Sequence, residues 1–133
     1  MKYLLDTHVI MWALINDKRV SENIKKVILD QNNQIYYSTV SSWEIEIKHQ
    51  KIKSFTLTGK QFCSLCDQND ILNLPIKNNH VIKLKDIINN NKNSDHKDPF
   101  DKMLLAQSAE EKMMLITHDK KLLDYDTNNI ILI

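Results

Sequence analysis

The stretch Tyr3-Leu4-Leu5-Asp6-Thr7-His8-Val9 decides how the chain is read. Tyr3 to Leu5 form a short apolar run that stops at an acid, the signature of a buried strand. Val9 to Ile15 is again apolar and includes Trp12, so a helix begins directly after Asp6 or Thr7. Ile35-Tyr36-Tyr37-Ser38 is a second β-rich run. Ile71 to Leu74, Met114 to Thr117 and Ile130 to Ile133 supply three more. Helical patterns lie between them: Ser21 to about Asn32, a helix opened by Ser41, Thr58 to about Gln68, Asn78 to about Leu84, and a last long helix from Pro99. Strands alternating with helices mean βαβ units and a mainly parallel sheet. The strands are unbroken apolar runs, which fits a sheet covered on both faces. The expected architecture is therefore α/β, a three-layer α/β/α fold with about five strands in one domain spanning residues 1–133.

Composition narrows the function classes. Lys and Arg total 18 against 17 acids, for a net charge of +1, so bulk positive charge is not available to hold a nucleic acid. Arg19 is the sole arginine and Gly59 the sole glycine, too few turn residues for an all-β design. The N-terminal apolar run is too short for a signal peptide, and no window approaches the roughly 18 to 20 apolar residues that span a bilayer. The expected location is the cytoplasm. Cys63 and Cys66 form a lone CxxC without a second Cys or His pair at zinc-finger spacing, and read as partly buried thiols. Asn89 to Ser94 is polar and of low complexity, and reads as an exposed loop without core contacts.

The chemistry gathers in His96-Lys97-Asp98-Pro99-Phe100-Asp101-Lys102. Pro99 suits the first position of a helix, which puts Asp98 at the N-cap and Asp101 in the first turn. In an open parallel sheet, ligands bind at the carboxyl edge of the strands. Asp6 ends the first strand and Asp119 follows the fourth. Glu44, Asp98 and Asp101 lie near the starts of helices that face that same edge. Each acid also has a plain structural reading. On that reading Asp6, Asp98 and Asp119 are simply helix caps, and Ser41-x-x-Glu44 matches a capping box. Carboxylates brought together need protons or a cation to neutralise them. Few basic residues lie beside them in sequence, so a divalent ion with hard oxygen ligands, Mg²⁺ or Mn²⁺, is the natural answer. His8, His96 and His118 stand within two residues of an acid and keep zinc or nickel as an alternative. Mg²⁺ held by carboxylates and water leaves positions open for phosphate oxygens, which points to a phosphodiester substrate.

Four motifs together resemble those of PIN-domain ribonucleases, and most closely the VapC-type toxins of bacterial toxin–antitoxin pairs. They are Leu4-Leu5-Asp6-Thr7-His8, Ser38-x-x-Ser41-x-Trp43-Glu44-Ile45-x-Ile47-Lys48, the Asp98–Asp101 stretch above, and Thr117-His118-Asp119. The third carries Lys97 and Lys102 where the family commonly has arginine. The resemblance implies a Mg²⁺-dependent endoribonuclease, with Mn²⁺ able to substitute. It also implies a homodimer and neutralisation by a cognate antitoxin. It makes Asp6, Glu44, Asp101 and Asp119 the metal-site acids, with Asp98 in place of or beside Asp101. Thr117 becomes a hydroxyl that positions the site or a metal-bound water, and Ser38 and Ser41 become supports for Glu44. Glu46, two residues on, points elsewhere on its helix. Lys48 is placed either to steady Glu44 or to touch RNA phosphate, or it is a solvated partner in an i,i+4 pair. Trp12, Trp43 and Phe100 have faces that can stack on bases, but their helical positions beside apolar residues put them in the core.

Two other functions compete. A PIN-like module without chemistry, binding only RNA or a partner, has no reason to keep anionic groups facing an anionic ligand. A haloacid-dehalogenase-like phosphatase needs a second aspartate two residues after the first, where this chain has His8.

Overall fold

The computed structural model describes residues 1–89, 91, 98–125 and 127–133. The strands are β1 (Lys2–Leu5), β2 (Gln34–Ser38), β3 (Leu72–Leu74), β4 (Met114–Thr117) and β5 (Ile130–Leu132). The helices are α1 (Thr7–Leu14), α2 (Glu22–Leu29), α3 (Thr39–Lys51), α4 (Gly59–Gln68), α5 (Asn78–Asn89) and α6 (Pro99–Glu110), followed by a 3₁₀ turn, Lys120–Asp124. The five strands form one sheet in the order β3-β2-β1-β4-β5, and every pairing is parallel.

Alternation along the strands sorts side chains between two cores. Tyr3, Leu5, Ile35, Tyr37 and Ile116 point to one face, where Val9, Ile10, Phe62 and Cys66 from α1 and α4 cover them. Leu4 and Leu115 point to the other, under Leu104, Leu105 and Ala106 of α6 and Ile87 of α5. Leu4, Leu5, Leu115 and Ile116 are wholly buried, which is why β1 and β4 read as unbroken apolar runs. The architecture is the expected three-layer α/β/α. Among the described residues, no helix is long and apolar enough to cross a membrane. Cys63 is half-buried and Cys66 buried, both as free thiols, as expected, and burial pushes the Cys66 thiol up to about 12.

Several boundaries differ from the sequence reading. Helix α3 starts at Thr39, with Ser38 rather than Ser41 as its N-cap, accepting from the Val40 N–H at 3.0 Å. The Ser38 hydroxyl also donates to Gln107 Oε1 of α6 at 2.5 Å, a link across 69 residues of sequence that local spacing does not reveal. Helix α5 continues past Leu84 to Asn89 because Ile87, only 2% exposed, packs in the second core. Asn91, expected in a loop free of core contacts, is half-buried and bridges to the buried Tyr125. The rest of that polar run, with His96 and Lys97, lies outside the described residues. Trp43, expected in the core, is 54% exposed, its ring edge-on to half-buried Phe100 at 4.8 Å. Trp12 is also only half-buried.

Because Leu115 is fully enclosed, Leu115→Ala should cost about 2–5 kcal/mol in urea unfolding. A cost under about 1 kcal/mol would mean that this core is loosely packed.

Candidate active site

The strand order reverses at β1. β2 lies on one side of it and β4 on the other, so the crevice opens beyond the carboxyl ends of β1 and β4. Leu5 pairs with Ile116, and the Asp6 N–H donates to the Ile116 carbonyl at 3.0 Å. This register seats Asp6 beside Thr117. Asp6 Oδ1 accepts from the Val9 N–H at 2.9 Å and so caps α1. Its Oδ2 accepts from the Thr117 hydroxyl and, at 3.3 Å, from the His118 N–H. Thr117 Oγ1 in turn accepts from the Asp119 N–H at 3.1 Å. One buried hydroxyl thus ties the first acid to the last.

The other acids arrive from three elements. Asp119 caps the 3₁₀ turn through the Lys121 N–H at 3.0 Å. Asp98 caps α6, accepting from the Phe100 N–H at 2.9 Å, and Asp101 lies in the first turn of that helix. Glu44, on α3, accepts a hydrogen bond from the Thr7 hydroxyl at 2.9 Å, and Ser41 Oγ lies 2.8 Å from that hydroxyl. Ser41 therefore supports Glu44 through Thr7 and caps nothing. Ser38 is committed to α3 and Gln107 and does not touch Glu44. Glu46 turns away and accepts from the Gly59 N–H at 3.1 Å. Thr7 is the residue whose part the sequence left unstated. Its place directly after Asp6 was the available signal, because that position starts α1 beside the same edge.

Asp6, Glu44, Asp98, Asp101 and Asp119 all line one cavity of about 150 Å³, together with Thr7, His8, His118 and Leu104. The cap readings hold, and the same three caps face a shared space, since Asp6, Asp98 and Asp119 each cap a helix and line this cavity. Among the described residues, no lysine or arginine lines the cavity. Lys48 makes no ion pair with Glu44. Its charge acts through space, opposing the rise in the Glu44 pKa and helping to lower that of His8.

The electrostatics follow from this crowding. Burial, then the neighbouring Asp98, Asp119, Glu44 and Asp6, push the Asp101 carboxyl up to about 8. Glu44 is raised mainly by burial, against the stabilising bond from Thr7. His8 is held below its ordinary value, chiefly by burial and then by Lys48.

Among the described residues, no three acid or imidazole side chains are already close enough together to enclose an ion. The donor chemistry nevertheless fits a hard divalent cation. The cavity offers carboxylate oxygens from five side chains, and burial raises two of them, Asp101 and Glu44, above their ordinary carboxyl values. His8 and His118 reach the same cavity, while His96 falls outside the described residues.

A PIN-domain model matches residues 3–128 of the chain. The fold is similar to that of VapBC2 from Rickettsia felis bound to a promoter DNA fragment, at 18% identity and a TM-score of 0.72 over 100% of this chain and 98% of that one. It is similar to VapBC-1 from nontypeable Haemophilus influenzae, at 18% identity and 0.71 over 99% and 98%. It is also similar to a toxin–antitoxin complex from Klebsiella pneumoniae, at 15% identity and 0.64 over 97% and 95%. No curated protein sequence matches the chain.

A carboxyl whose folded pKa is raised stabilises the fold at low pH and loses that contribution as pH rises through the folded value. For Asp101 the window runs from its ordinary 3.8 to about 8, and the shift of Glu44 acts in the same direction. In EDTA, the melting temperature should therefore fall between those pH values, and Asp101→Asn should flatten the fall. Adding Mn²⁺ at pH 8 should raise the melting temperature again. A melting temperature that rises with pH in EDTA and ignores Mn²⁺ would contradict this electrostatic account. With 126 of its 133 residues inside the matched family model, the chain belongs to the PIN-domain family.

Proposed function

We propose that the chain is a VapC-type toxin, a Mg²⁺-dependent endoribonuclease that hydrolyses RNA phosphodiester bonds and is neutralised by a cognate antitoxin. The observation that carries this reading is the single cavity in which Asp6, Glu44, Asp98, Asp101 and Asp119 meet. The family match and the likeness of the fold to solved VapBC proteins support it. Residues 1–133 act as one PIN domain, in the cytoplasm, as a homodimer.

In this reading, Asp6, Glu44, Asp98, Asp101 and Asp119 hold Mg²⁺, and Mn²⁺ is able to replace it. The bound ion supplies charge neutralisation at the phosphate and lowers the pKa of a water. The chain's own groups set the stage. The Thr117 hydroxyl fixes Asp6 Oδ2, the Val9 N–H fixes Oδ1, and Thr7 holds Glu44. These bonds orient donors before substrate arrives, so little reorganisation is needed during the reaction. A protonated Asp101 is available to give up its proton as the cavity gains positive charge. The buried Leu104 side chain at the cavity wall limits its hydration.

Asp6→Asn or Glu44→Gln should lower cleavage of total cellular RNA at least about a hundredfold and abolish growth arrest on expression, with melting temperatures close to that of the parent. EDTA should stop the parent enzyme and Mn²⁺ should restore it. A folded Asp6→Asn protein that cuts RNA at the parent rate would refute the assignment. Thr117→Val should cost less, about tenfold, because it removes a support for Asp6 and no acid. Calorimetry showing no Mn²⁺ binding by a chain that still binds RNA would favour a binding module.

A further inference from the structure

Beside the acidic cavity stands a group of rings that the apolar cores do not use. His8 and Trp12 lie one turn apart on α1, their ring centroids 5.9 Å apart. His118, just beyond β4, sets its ring edge-on to both, at 4.8 Å from His8 and 5.0 Å from Trp12. His8 and His118 line the cavity. Met11 and Leu14, also on α1, pack against the first core, but Trp12 is part of neither core cluster. The guanidinium of Arg19 sits over the indole, 4.6 Å from its centroid. Asp17 fixes that plane with bonds of 3.1 Å to both Nε and Nη2, while 64% of the Arg19 side chain stays exposed.

We propose that Trp12, with the Arg19 guanidinium laid over its indole and His8 and His118 beside it, forms a platform on which a nucleobase of single-stranded RNA stacks next to the scissile phosphate. The inference rests on the ribonuclease reading and adds the groups that hold the substrate. A net charge of +1 gives the chain little bulk attraction for a polyanion, and the cavity itself is acidic. Asp17 balances the charge of Arg19, so the arginine offers a flat face more than a net charge. Contacts that ignore charge then add to those of the bound ion, and stacking of bases on rings and guanidinium planes is such a contact. Only an unpaired, splayed base presents its face, which makes the substrate class single-stranded RNA or a loop. Every base has such a face, so the platform favours strandedness over sequence.

The test uses the full chain carrying Asp101→Asn, which spares the RNA, and Trp43→Phe, which leaves Trp12 as the sole tryptophan. In Mg²⁺, a short single-stranded oligoribonucleotide should quench the Trp12 emission. By anisotropy of a labelled strand, an abasic ribose-phosphate of the same length should bind about tenfold or more weakly. Trp12→Ala, checked for folding by its melting temperature, should bind both strands equally weakly, and Trp12→Phe should recover the preference for bases. A Trp12→Ala chain that keeps that preference, while the parent cleaves RNA, overturns the platform and leaves the ribonuclease reading intact. A parent chain that neither cleaves nor binds RNA overturns both.

Discussion

The parallel pairing of β1 with β4 is the constraint on which the rest depends. It sets Leu5 against Ile116, and the next residue of each strand is then a carboxylate facing a hydroxyl. Asp6 has no freedom to leave, because one oxygen caps α1 and the other is bonded to Thr117 and to the His118 N–H. A slip of one residue would turn every side chain of β1 to the other face and break both cores. Core packing, with Leu4 and Leu5 wholly buried, therefore fixes the place of Asp6 at the rim of the acidic cavity.

All of the acids except Glu44, which lies in the second turn of α3, sit at helix starts, and this explains how the fold tolerates them. An acid at a helix N-terminus meets unpaired backbone N–H groups and the positive end of the macrodipole. Asp6, Asp98 and Asp119 all use such a position. Each local choice is favourable, while their sum is not, because the caps converge on one space of about 150 Å³. The conflict shows at Asp101, which is buried among the others and pushed up to about 8. The rings of His8, Trp12 and His118 stand beside this space, tilted or edge-on to one another and outside both apolar cores.

Much of this was legible in the chain. Apolar runs marked the strands and the edge where Asp6, Glu44, Asp98, Asp101 and Asp119 were expected to meet, because strand burial and helix capping are local and leave local patterns, whereas the order of the strands in the sheet does not. What escaped depends on contacts far apart in sequence. Among the neighbouring hydroxyls at 38, 41 and 42, only the link from Ser38 to Gln107 decides where α3 begins. Ser41 then loses its cap and acts through Thr7 instead. Trp43 reads as core by residue type, yet α3 turns it outward against Phe100. The asparagine-rich run hides the end of α5, because Ile87 is held by tertiary packing that outweighs the polar composition around it.

The fold crowds these acids so that Asp101 keeps its proton well above the usual carboxylate range, and a bound cation would release it. Following the Asp101 carboxyl carbon by NMR tests this most directly. In metal-free protein the carboxyl should titrate near 8, and on saturation with Mg²⁺ its midpoint should fall to the ordinary carboxylate range or below. A midpoint near 3.8 without metal, unchanged when Mg²⁺ is added, would contradict the account.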